Sequence, residues 1–443
     1  MDKKIIVVAG AIVVVGGGFI AHSMAGKAAE QQIQQSIEAI EKDPRIDVSD
    51  VDIRKGWGKT SLIAQLDVVD VPGVGGELAM DVGYLSREAE GTMTFNGEAL
   101  EGVVHFTTEL DSERYDYRFN TDELGAHGGT LTLERIEGEG YVDNQHRHFA
   151  LNMRIPKVRV EDASGNLEIS DFATELEHNI SAEAGKGRSH ARFAMGEGRV
   201  IVDNGDGPME AISLGEAEIR STATLDGDTL SSRFYFAATD AVVMDSEPGH
   251  AELDITAESL DYAVFDAVAD VLERHLEDAD GQQVLTPEQQ QALSRDIRQT
   301  LWQQVHTLLA HSPVLNLNTL DIDTELPMLG RANVELSGRL AFDGDDLPRE
   351  ATQALLAKLD AETHRIDQAK QGRPSMSLDA VQAELAPRVS AELNVAQLPD
   401  ALVAELPPAF QALLEKDEAP HIFAWENGQP LYNGEPLAKA LAQ

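Results

Sequence analysis

The chain has 443 residues, 77 Asp and Glu against 35 Lys and Arg, a net charge of −42 and no cysteine. That balance argues against nucleic-acid binding, which needs basic patches to displace counterions. The missing cysteines exclude disulfides, thiolate metal sites and a lipoprotein anchor.

The first segment, Ile5 to Ala21, runs seventeen residues without a charge behind Lys3 and Lys4. Extended through Met24 it reaches the ~20 residues a helix needs to cross a bilayer. Ile5, Val8, Ile12, Val15, Phe19 and Ile20 are the expected membrane-anchor residues. Lysines before the span predict an N-terminus inside and the bulk of the chain outside, in the periplasm. A cleaved signal peptide is the competing reading, because Ser23-Met24-Ala25 offers small residues at a cleavage position. Gly10, Gly17 and Ala21 would let two spans approach closely, which leaves a homodimer open. The expected division is 1–27 for the cytoplasmic tip and span, then 28–44 for a juxtamembrane helix that Asp43-Pro44 stops.

From 45 to 256 the texture changes to period two. Leu62, Ala64, Leu66 and Val68 alternate with mixed partners, as do Tyr115, Tyr117 and Phe119. Phe149 to Ile155 and Ala217 to Leu225 repeat the pattern. Turn signals such as Asn96-Gly97 and Asp226-Gly227 separate the runs, so the region reads as antiparallel sheet with one apolar face. Residues 257–312 read as a helical hairpin. Thr286-Pro287-Glu288-Gln289 caps its second helix, and Ser312-Pro313 ends it. Residues 313–443 return to strands that complete the sheet, with helices at 349–368 and 400–416 and a closing hairpin around Asn427-Gly428. The expected class is therefore α+β: one transmembrane helix, a large antiparallel body, a helical hairpin and further helices in the C-terminal half.

Four features, in order, resemble the YdgA-like family, a bacterial domain of unknown function. They are the Lys-flanked span, the segment Arg54-Lys-Gly-Trp-Gly-Lys-Thr-Ser-Leu62 entering a strand, the β region followed by a helix-rich insertion, and the closing hairpin Trp425 to Leu437. The resemblance implies an inner-membrane protein with a periplasmic body. It brings no activity and no catalytic residues.

No catalytic, cofactor or metal motif stands out. Gly56-Trp-Gly-Lys-Thr60 echoes a phosphate loop but lacks its first glycine and precedes a strand. His146 and His148 share a strand face without a third ligand. Trp57 and Trp425 are the candidate partner-docking residues, since Trp is enriched in binding hot spots. The expectation is a non-enzymatic envelope protein without a cofactor that binds a protein or a lipid-like ligand. A scaffold acting through dimerisation of the span and stalk helix is the alternative.

Overall fold

A computed structural model describes residues 46–441 except 58, the loops 69–73, 84–87, 97–99, 111–113, 127–130, 144–147, 163–164, 182–183, 204–207, 244–245, 327–329 and 417–418, and the segments 278–286 and 348–385. The expected span with Ile5, Val8, Ile12, Val15, Phe19 and Ile20, the juxtamembrane helix 28–44 and the helix 349–368 lie outside the described residues.

All 23 described strands join one antiparallel sheet. The chain runs up and down through β1 (Ile46–Lys55), β2 (Lys59–Val68), β3 (Gly75–Gly83), β4 (Glu88–Asn96) and β5 (Glu101–Leu110), each hydrogen-bonded to the next. The next two places in the sheet are each filled by a broken strand. β6 (Arg114–Asn120) and β7 (Glu123–Gly125) both lie on β5, and β8 (Leu131–Glu134) and β9 (Glu137–Asp143) both lie on β10 (Phe149–Asp162).

Alternation becomes burial here because this part of the sheet rolls up. Leu62, Leu66, Met80, Phe95, Phe106 and Phe119 belong to one buried cluster that ends at Leu151 and Ile155 of β10. Val48 and Ile53 of β1 pack on it from one side, and Phe172 and Leu176 of the following strand, β11 (Gly165–Ser181), from the other. A sheet with one apolar face seals that face either with a second layer or by curling over itself, and residues 46–181 curl. Gly138 of β9 makes room for the curl, since a Cβ there would stand 2.2 Å from the Phe119 ring. Tyr117 donates its Oη hydrogen to the Ala150 carbonyl at 3.0 Å, and burial pushes its phenol up to about 12.

Beyond β11 the sheet continues as β12 (Lys186–Met195) with β13 (Gly198–Asp203), then β14 (Pro208–Leu214) with β15 (Ala217–Asp226), and then β16 (Thr229–Val243) and β17 (Gly249–Asp261). A crease crosses it. Gly196 and Glu197 interrupt β12–β13, Gly215 and Glu216 interrupt β14–β15, and Asp171 and Asp240 take φ values of 48° and 50°. The Ser170 amide donates to Glu197 O at 2.8 Å and the Gly215 amide to Thr239 O at 2.9 Å, so the breaks line up across neighbouring strands. Aligned bulges bend a sheet as a unit while leaving its backbone groups paired.

The helical hairpin follows β17 as α1 (Tyr262–Glu277) and α2 (Pro287–Ala310). Its base is pinned to the β15–β16 turn: the Tyr262 amide donates to Asp228 O at 2.9 Å, and His311 stands 3.2 Å from Asp261 and 3.6 Å from Asp228. His275 joins the two helices through Asp296 at 2.8 Å. β18 (Val314–Leu326), β19 (Gly330–Phe342), β20 (Val389–Gln397), β21 (His421–Glu426), β22 (Gln429–Tyr432) and β23 (Glu435–Pro436) complete the sheet. Short helices α3 (Asp400–Glu405), α4 (Pro408–Lys416) and α5 (Leu437–Ala440) lie around its end.

Two expectations are corrected. The expected α+β class gives way to a mostly antiparallel sheet: among the described residues 68% are strand and 18% helix. The helices are additions to one continuous sheet rather than a second layer of equal weight. The single-pass membrane reading is not carried by the structure either: among the described residues no helix is long and apolar enough to cross a membrane, and the expected span itself lies outside them. The longest, α2, carries Glu288, Arg295, Asp296 and Arg298 within its 24 residues.

Candidate functional site: an unsealed apolar face

Seven strands, β12 and β15 to β20, show two unlike faces. On one face of β12 stand Gly187, Ser189, Ala191, Phe193 and Met195; on β15, Ala217, Ile219, Ser221, Ala223 and Leu225. The register carries this face from strand to strand. Phe193 opposes Ile219, which opposes Phe236, then Leu253, Leu320, Leu336 and Val395. Two residues along, Ala191 leads to Ser221, Phe234, Ile255, Leu317, Gly338 and Leu393. The next row runs Ser189, Ala223, Ser232, Ala257, Leu315, Leu340 and Ala391. None of these residues carries a formal charge, in a chain where a quarter of the residues do.

The other face of the same strands is an ion-pair lattice. Arg192 reaches Glu175 at 2.7 Å and Glu218 at 2.6 Å, and Arg220 also reaches Glu218 at 2.6 Å. Burial would raise the Glu218 carboxyl, yet the two guanidinium groups hold it below its ordinary value. Arg233 grips Asp254 with two bonds of 2.9 and 2.8 Å, and Arg331 grips Asp323 with two of 2.7 Å. Period-two alternation puts the charges on this side and keeps them off the other.

The apolar face is continuous with the sealed core, since Leu151 opposes Leu176 and Leu176 opposes Ala191. Its exposure is different. Leu62 and Leu66 in the rolled part are 2–3% exposed, whereas Phe193, Ile219, Phe234, Leu315, Leu340 and Leu393 are 40–48% exposed. Six large apolar side chains on one face, each nearly half in water, form a patch of the kind that marks a binding surface. Leu225 and Leu230 are buried, at the strand ends from which the hairpin springs. Between Leu315, Leu317, Leu340, Leu393, Phe423 and Trp425 the face dips into a groove of about 470 Å³. A larger hollow of about 800 Å³ is bordered by both charged and apolar side chains, among them Arg118, Glu139, Arg154, Glu175, Phe119 and Met153. Two of its three guanidinium groups pair with carboxylates, Arg154 with Asp171 at 2.6 Å and Arg118 with Glu139 at 3.6 Å.

An aromatic cluster closes the groove at the β21–β22 end. Phe423 packs 5.2 Å from Tyr432 and 6.3 Å from Phe410 of α4. The Tyr432 hydroxyl gives its single hydrogen to Leu413 O at 3.0 Å. Its 2.8 Å contact with His421 Nδ1 therefore requires the imidazole to donate from Nδ1.

The family described as a bacterial protein of unknown function, DUF945, matches residues 89–426. The chain belongs to this family. The matched span includes every strand of the apolar face. The YdgA-like name is not confirmed by this match. No curated protein and no solved structure matches the chain.

The expected docking residues fall in different places. Trp57 sits at the β1–β2 turn, fully exposed at 103%, at the opposite end of the strand run from the groove. Trp425 lines the groove and donates its indole N–H to Ala386 O at 3.1 Å. Among the described residues no three His, Asp or Glu side chains gather as a metal site. Sequence reasoning did not single out Phe193 or Phe234. The signal was present in the alternation of Gly187 to Met195, and what was missing was the knowledge that Phe193 and Phe234 stay 40–41% exposed in the fold.

Proposed function

We propose that this chain is a non-enzymatic binding protein that accommodates a lipid-like ligand along the apolar face of β12 and β15 to β20. One observation carries this reading: an uncharged face seven strands wide on which six large apolar side chains stay 40–48% exposed. Antiparallel neighbours lie ~4.8 Å apart, so the seven strands span roughly 30 Å, enough to lay an extended hydrocarbon chain across them. A hydrocarbon asks for apolar contact without hydrogen-bond partners, and this face offers Leu, Ile, Phe, Val and Ala with only scattered hydroxyls. We also propose that the body works in the periplasm, as the Lys-flanked apolar start suggests, which a compartment-sensitive fusion at Gln443 would test. The test of binding is mass spectrometry of the organic extract of the purified full chain. A defined lipid in stoichiometric amount supports the reading. An extract free of lipid, with no displacement of a fluorescent fatty acid added to the chain, refutes it.

A further inference from the structure

We infer that the apolar face discriminates by headgroup charge, accepting neutral or zwitterionic lipids and rejecting anionic ones. This rests on the lipid-binding reading above and adds the ligand's class.

A headgroup must sit at an edge of the face, because its polar atoms find no partners among the apolar rows. Proteins that hold anionic heads do so with guanidinium or ammonium groups free to meet the phosphate. No strand of this face places a Lys or Arg on it. The arginines of these strands that form ion pairs, Arg192, Arg220, Arg233 and Arg331, project from the opposite side and are bound to carboxylates there. The ends of the face are mostly acidic. Asp226, Asp228 and Asp261 stand at the hairpin end, where Lys186 opposes Asp226, and Glu197, Glu216 and Asp240 stand along the crease, with Glu197 paired to Arg199. The chain as a whole adds −42. Summed surface charge of one sign gives potentials of several kT, which works against an anionic head and leaves a neutral or zwitterionic head indifferent.

The test uses the full chain incubated with vesicles of phosphatidylcholine and phosphatidylglycerol in equal parts with identical acyl chains. The protein is re-isolated and its bound lipid is quantified by mass spectrometry at low and high salt. Phosphatidylcholine should be enriched roughly tenfold at low salt, the ratio a potential of a few kT produces. The enrichment should shrink at high salt as screening sets in. Placing a cation on the face by Ser232→Lys should move the bound ratio toward phosphatidylglycerol. A bound ratio equal to that of the vesicles, or one favouring phosphatidylglycerol, overturns the inference while leaving lipid binding intact. Failure to bind either lipid overturns the binding reading itself.

Discussion

Leu340→Asn separates an unsealed binding face from an ordinary core. Leu340 lies on the apolar face of β19, opposite Leu315 and Ala391, and keeps 48% of its surface exposed. Burying a leucine side chain completely contributes ~1.5–3 kcal/mol, so the half-buried Leu340 contributes about 1 kcal/mol. No sealed cavity forms on replacement, because the space above it is already open. Leu62 makes the contrast: it is 2% exposed inside the rolled core, and Leu62→Ala should cost about 2–5 kcal/mol through lost burial plus a cavity. Urea denaturation followed by near-ultraviolet circular dichroism should show Leu62→Ala unfolding well before the parent. Leu340→Asn should unfold within about 1 kcal/mol of it. In the same preparations Leu340→Asn should lose most uptake of a fluorescent fatty acid, because the amide is desolvated by any hydrocarbon laid over it. If Leu340→Asn is as destabilising as Leu62→Ala, the face is buried core and the argument from exposure is wrong.

Other consequences follow from the polar contacts. His311 takes its raised pKa against burial, which alone would lower it, from the Thr307 carbonyl and from Asp261 and Asp228. A folded value above the unfolded 6.5 means its stabilisation is complete below pH ~6.5 and fades as pH rises through the folded value. His311→Gln should flatten that part of the stability–pH curve, and an unchanged slope would show that the contact does not hold the hairpin base. Arg233→Ala strands the nearly buried Asp254 and should cost about 1–2 kcal/mol, less than the 3–5 of a fully buried pair because the guanidinium is half exposed. Asp254 is held below its ordinary value chiefly by its Arg233 hydrogen bond, so the parent alone should lose that stability as pH falls through the folded value. Tyr432→Phe leaves the buried His421 Nδ1–H and the Leu413 carbonyl without their hydroxyl and should cost about 1–3 kcal/mol, read in the same denaturation assay. Gly138→Ala drives a methyl into the Phe119 ring and should cost about 1–3 kcal/mol.

The amino-acid sequence by itself determined the two-faced strand. Side chains alternate by local backbone geometry, so Leu62-Ala64-Leu66 and Leu315-Leu317 were legible as one-sided runs without knowledge of their neighbours. Antiparallel pairing was legible for the same reason, through the turn residues that separate the runs. The Thr286-Pro287 cap likewise marked the start of α2, since capping satisfies amides within one turn of helix.

Tertiary structure alone decided which apolar faces are covered. Leu62 and Leu340 stand in the same kind of alternating run, yet one is sealed and the other open. The difference depends on distant strands. Residues of β1 and β11 both pack against one buried core, whereas the strands beyond the crease form a wide face on which Phe193, Phe234 and Leu393 stay nearly half in water. Covering a face requires another part of the chain to arrive there, and no window of local sequence records that arrival.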